Sequence, residues 1–219
     1  MTDWEARLRA IAAQLEEWNR RFERELTAVC KERKLVGWFK KPSQVELDAA
    51  AIEARRRAGV DVLGDAAVFF DELCDHYPGC LPQERCRIRA AVGGHEALFD
   101  QWWGYVESWP TRIKTAADAP LMARAFVAIA IDDMRADLHL LNEVMRRLIV
   151  AAAQAGLDWH AALAAACKVA NRSTGGGAAQ MQEYFETFAG SSYFKKVVAP
   201  ELRAAERRAR EIDGLSQAS

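Results

Sequence analysis

Two aspartates four residues apart, Asp133 and Asp137, fall in a stretch whose apolar residues recur at helical intervals. Val127, Ile131, Met134, Leu138, Leu141, Met145 and Leu148 alternate by steps of four and three. That seam predicts one long helix from Pro120 to Gly156, with proline in the favoured first turn and glycine at the stop. At roughly 100° per residue, both aspartates fall beside Phe126, Ala130, Leu140, Val144 and Leu148, while His139, Glu143 and Arg146 gather opposite. Carboxylates so spaced share one surface and could hold Mg²⁺ or Mn²⁺ with acids from a neighbouring helix, activating water and neutralising phosphate charge. The structural alternative pairs them with arginines such as Arg85, Arg87, Arg89 or Arg112. It is favoured because unpaired buried carboxylates are costly.

A second set of donors is Cys74, His76, Cys80 and Cys86, with His95 beyond, gathered around a Pro-Gly turn. Soft ligands this dense could form a structural zinc site, but their spacing matches no common finger or ribbon, and cysteine is also a frequent core residue. Residues Asn171 to Gly177 could offer backbone amides to a phosphate, yet lack the lysine and preceding strand of a P-loop and read as a linker. Trp38 and Phe39 lie among Lys31, Arg33, Lys34, Lys40 and Lys41, a basic-aromatic turn that could touch an anionic membrane, nucleic acid or an acidic protein groove, though such aromatics more often plug a bundle end. No nucleophile, histidine and acid fall into a catalytic arrangement.

Helices must position all of these groups, because alternating β-branched runs are missing. Thr2 and Glu5 have capping-box spacing, and Trp4, Leu8, Ile11, Leu15, Trp18 and Phe22 follow as a stripe, continuing to Leu26 and Val29 and ending at Gly37. Ser43 and Glu46 open a second helix to about Ala58, with Val45, Ala49 and Ile52 as its packing face. Asp65 is placed as the cap of a third, with Phe69, Phe70, Leu73 and Tyr77 on its apolar side. Pro78, Gly79 and Pro82 break the chain before a short helix that stops at Gly93-Gly94. An aromatic helix with Leu98, Trp102 and Val106 ends near Pro110, Asp158 caps a helix containing Leu163, another helix stops at Gly190, and a last one begins beyond Pro200.

With 51% hydrophobic and 28% charged residues, the 219-residue chain has the composition of a globular protein. No apolar run reaches the roughly 18 residues of a membrane span. Five cysteines without framework spacing and a first segment lacking an apolar signal core set the expectation of a reducing, cytoplasmic location. The net charge of −1 divides unevenly, +3 over residues 1–60, −6 over 61–110 and +2 over the rest. A general nucleic-acid binder is therefore disfavoured, and the segments are expected to dock on each other.

The runs RADLHLL, AQAGLDW, ANRS and KKVVAPEL resemble the later part of the all-α NTP pyrophosphohydrolases, the MazG and dimeric dUTPase group. The resemblance covers less than half of the chain and implies Mg²⁺ held between a Glu-x-x-Glu helix and a Glu-x-x-Asp helix, with Asp137 at the last position. Met134 stands where that motif has its glutamate, and no Glu-x-x-Glu helix precedes it at a suitable distance.

The expected fold is all-α: an irregular multi-helix bundle with a long N-terminal helical hairpin and a long central helix. Residues 1–58 form the hairpin and 59–219 the bundle, with one continuous domain as the other possibility. The expected function is non-enzymatic, an interaction, regulatory or scaffold subunit without a cofactor. It would meet a protein partner or a second copy through Trp4, Trp18, Trp38, Phe39, Lys40 and Lys41. Seven tryptophans motivate this, since the residue is enriched at interaction hot spots. The alternatives are a Mg²⁺- or Mn²⁺-dependent nucleotide phosphohydrolase at Asp133 and Asp137, and a nucleic-acid-associated helical protein.

Overall fold

A chain whose apolar residues recur every three to four positions can bury them only by laying helix on helix. The computed structural model describes residues 4–35, 41–131, 138–164 and 185–216, and among them every regular element is helical, with no strand. The helices are α1 (Trp4–Glu32), α2 (Gln44–Ala58), α3 (Asp61–His76), α4 (Pro82–Gly94), α5 (Glu96–Arg112), α6 (Ala119–Ile131), α7 (Leu138–Gln154) and α8 (Ala199–Ser216). Helical segments at 159–164 and 185–190 complete the described chain. The two ends of the expected central helix are α6 and α7, and residues 132–137 between them lie outside the described residues.

The innermost element is α6, in which every side chain from Ala125 to Ile131 is buried. It packs against α3, α4 and α5, while α7 lies on α5 and α8. The front of α1 joins this core through Trp4, Leu8, Ala12 and Leu15. Its rear belongs to a second, small core of Val29, Ala50 and Ala54, flanked by Phe22, Leu26, Cys30 and Leu35. At about 1.5 Å per residue, α1 runs about 43 Å and serves both cores.

Local chemistry sets the helix ends. Ser43 accepts from the Glu46 amide while Glu46 accepts from Ser43, the reciprocal box expected from the sequence. At the end of α7, Gly156 takes φ +70° and the Leu157 amide reaches back to Ala152, closing the helix. Asp158 accepts from the Ala161 amide, as its capping position predicts.

Several expectations need correction. Helix α1 stops at Glu32 and not at Gly37: Lys34 adopts a left-handed φ of 54° so that the Leu35 amide returns to Cys30 and its side chain joins the small core. Asp65 is an exposed mid-helix residue, because Gly59 with φ +86° turns the chain directly into a helix beginning at Asp61. Leu140, expected in the apolar sector, is 45% exposed, and α7 buries Leu141, Val144, Met145, Leu148, Ile149 and Ala152. Pro110 does not end its helix. Helix α5 passes Pro110, with the hydroxyls of Ser108 and Thr111 donating to the carbonyls of Tyr105 and Ser108. The last helix begins where expected: Pro200 is the second residue of α8, which follows a π-turn, Phe194–Val198.

The largest correction concerns α2. Its inward stripe is Ala50, Ala54 and Ala58, whereas Val45 and Ile52 point to solvent at 77% and 70% exposure. Alanines four residues apart let the backbone of α2 approach α1 more closely than Val and Ile would. Outside this contact, Arg57 bridges Glu32 of α1 and Glu53 of its own helix, and Trp18 donates its indole N–H to the Gly59 carbonyl.

Two predictions follow from this packing. Ala54→Leu inserts side-chain volume where none is free and should cost about 1–3 kcal/mol in chemical denaturation. Arg56 and Arg57 hold the Glu53 carboxyl down at about 2, well below its ordinary value of about 4.3. The pairing therefore contributes above that ordinary value and is lost as pH falls toward 2. Amide exchange of α2, compared with α6, should accelerate across that interval, and Glu53→Gln should remove the difference.

Candidate functional site

The chain reverses between α3 and α4 through a 3-10 turn, Tyr77–Gly79, and two extended residues, Cys80 and Leu81. Pro78 and Pro82 each sit at the start of the element they enter, where a missing N–H costs nothing. Arg85 is buried and clamps the turn: its Nε donates to the Tyr77 carbonyl at 3.1 Å and a terminal nitrogen donates to the Pro78 carbonyl. Arg89, also buried, donates to the Tyr77 hydroxyl at 3.1 Å. Both cations stand at the C-terminal end of α3, where the helix dipole and unpaired carbonyls favour positive charge.

This clamped turn brings together His76, Cys80 and Glu84, whose donor atoms all lie within 4.8 Å of one another. His76 Nε2 is 3.4 Å from Glu84 Oε1, and the Cys80 thiol donates to the His76 carbonyl at 3.6 Å. Trp4 stacks on the His76 ring at 4.7 Å. Burial, and then the Glu84 carboxylate, push the Cys80 thiol up to about 12.

The donors read from the sequence therefore divide. His76 and Cys80 meet; Cys74 turns into the core, where its sulfur lies 3.7 Å from the Tyr105 hydroxyl oxygen and where burial raises its thiol far above the ordinary range. Cys86 receives a donor of Arg89 at 3.5 Å, and His95 stands at the N-cap position of α5 without a side-chain capping bond. Glu84 was not among the expected donors. Its only sequence signal is a place four residues beyond Cys80, repeating the step from His76 to Cys80.

A polar collar surrounds the buried α6. Asp71 accepts from Tyr105 at 2.7 Å and faces both Arg112 and Arg124, and Arg124 also binds Asp75. Burial is the main reason that the Tyr105 phenol is pushed up, with Cys74 and Asp71 adding to it. This collar ties α3, α5 and α6 together.

The groups assigned to partner binding have other places. Trp4 is buried in the main core against His76 and Phe69, and Trp18 is buried beside Phe22. Neither indole is exposed on the surface of the chain as described. Lys41 is exposed, and Trp38, Phe39 and Lys40 lie outside the described residues. So do Asp133 and Asp137, with the metal and arginine pairings considered for them, and the 171–177 segment.

Concave regions among the described residues lie elsewhere, two of them beside α8 and along α1. A cleft of about 410 Å³ between the exit of α7 and α8 is lined by Asp158, Trp159, His160, Glu206 and Arg210 among others, with charges of both signs. The described lining of a larger one of about 610 Å³ comes entirely from α1. Comparison with protein-family models, curated proteins and solved structures finds no match, including for the pyrophosphohydrolase resemblance.

The clamp makes a direct prediction. Arg85→Met keeps much of the side-chain length but leaves the Tyr77 and Pro78 carbonyls without these donors. The denaturation midpoint should fall by the equivalent of about 2–3 kcal/mol with an unchanged slope.

Proposed function

We propose that the chain is a non-enzymatic helical interaction protein whose contact surface is the outer face of α2. A single observation carries this reading: Val45 and Ile52, two turns apart on one helix, stand 77% and 70% exposed while the opposite stripe is alanine. Isolated surface apolar residues are ordinary, but a pair aligned at i and i+7 is the anchor spacing by which a helix enters a groove. Leu47 is partly exposed on the same helix. Arg55 and Arg56 are exposed one turn beyond Ile52.

The partner implied is a protein offering two apolar pockets about 10 Å apart with an acidic rim toward the Arg55 and Arg56 end. One face of a four-turn helix is well below the roughly 800 Å² per partner of a standard stable interface. The contact is accordingly better suited to a reversible guest-in-groove association than to a permanent dimer built on this helix alone.

The test places a photoactivatable residue at position 45, at position 52, and at the exposed control position 203 in the expressing cell. The first two should give the same discrete adduct and the control none. The purified adduct partner should bind the wild-type chain and lose at least tenfold affinity for Val45→Lys/Ile52→Lys, a variant whose thermal midpoint is unchanged. An adduct with a second copy would make the association homo-oligomeric. Equal labelling at all three positions, or binding that survives the double substitution, removes the reading.

A further inference from the structure

His76, Cys80 and Glu84 follow one another at intervals of four residues. On an uninterrupted helix the outer two would stand about 12 Å apart along the axis. Here His76 Nε2 and Glu84 Oε1 are separated by 3.4 Å, with Cys80 Sγ within 4.8 Å of both. The 3-10 turn and the extended Cys80–Leu81 pair fold the line back on itself, and Arg85 holds that fold by its two carbonyl contacts. Trp4 fixes the plane of the imidazole by stacking on it. Three potential ligands thus converge on a clamped backbone turn, with one ring already oriented.

The donor types discriminate among cations. Calcium and magnesium are bound through oxygen, whereas an imidazole nitrogen, a cysteine sulfur and a carboxylate oxygen together suit zinc. Zinc bonds of roughly 2.0–2.3 Å set neighbouring ligand atoms of a tetrahedral shell about 3.3–3.8 Å apart. The His76–Glu84 separation already has that length, and the sulfur needs to close by about 1 Å. The side chains of His76 and Glu84 are 39% and 34% exposed, so a cation can enter from solvent. A thiolate and a carboxylate would balance its two positive charges, the thiol proton passing to water on binding.

We propose that His76, Cys80 and Glu84 form a zinc site that staples the end of α3 to the start of α4, with its fourth coordination position open to solvent. Three protein ligands and one exchangeable position make this a centre able to take a water or an incoming donor group. The site lies on a different part of the chain from the outer face of α2 and does not depend on the partner reading.

Cobalt(II) is the probe, because it reports sulfur ligation and tetrahedral geometry by absorption. Titration of the full chain should saturate at one equivalent, with a thiolate-to-cobalt charge-transfer band and intense d–d bands that Zn²⁺ abolishes by displacement. Cys80→Ser should eliminate the charge-transfer band. His76→Gln and Glu84→Gln should each weaken binding by at least about tenfold, and Cys86→Ser and Cys30→Ser should leave it unchanged. Glu84→Gln alters a half-exposed side chain, so far-ultraviolet circular dichroism can verify that its fold is intact. Absence of saturable binding, a band that persists in Cys80→Ser, or affinity unchanged in a folded Glu84→Gln would overturn the site and leave His76 and Glu84 a simple hydrogen-bonded pair.

Discussion

Helix α6 has no face that can meet water from Ala125 to Ile131, and the surrounding architecture follows from that constraint. Burying a side chain such as Phe126, Ile129 or Ile131 contributes about 1.5–3 kcal/mol, but only if neighbours cover it on every side. Helices α3, α4 and α5 supply that cover, and α1 closes over them. Apolar burial alone would let these rods slide. The Asp71 collar fixes their register, since Tyr105, Arg112 and Arg124 must all reach one carboxylate. The acidic excess of residues 61–110 is spent in the same way: Asp75 meets Arg124, and Glu72 meets Arg7. The charge contrast along the sequence is thus used at least partly for docking within the chain.

The polar interior is concentrated at the α3–α4 turn. A buried guanidinium is costly to desolvate and persists only where hydrogen bonds and compensating charge receive it. The carbonyls at the end of α3 have complementary needs, because they cannot find helical partners. Arg85 answers both through Tyr77 and Pro78. The same contacts set the path of the backbone through Cys80. A turn ordered for reasons of folding thereby becomes a support on which donor atoms can be held.

The sequence reveals elements where one local rule suffices. Phe69, Phe70 and Leu73 are found on the buried side of α3, and Tyr77 is buried just beyond its end, because large apolar residues leave no doubt about the phase. The Ser43–Glu46 box is equally plain, being contained in four residues. The phase of α2 was not legible, since alanine is too weakly apolar to outvote Val45 and Ile52 unless the close approach of α1 is known. Pro110 looks like a breaker in the sequence, yet α5 continues past it to Arg112. Two of the three cluster residues were legible, His76 and Cys80 from their types. Glu84 was not, because helical spacing alone separates it from His76, and only the folded turn brings it back. The acidic pair at Asp133 and Asp137 remains a sequence observation.

The position of α2 carries a consequence for its use. Its principal packing partner is α1, and the core they share is small, built around one valine and two alanines. Such a cluster buries far less surface than the core around α6, so the free energy of opening α2 locally should lie well below that of the whole domain. The Trp18–Gly59 hydrogen bond and the Glu32–Arg57–Glu53 bridge hold it from the edges, where solvent weakens each contribution. Val45 and Ile52 add nothing to that packing, and keeping them outward exposes apolar surface on the least secured helix of the pair. Folding provides no reason for that choice, whereas a partner able to cover them would stabilise α2 through the same mass action that any ligand of the native state exerts.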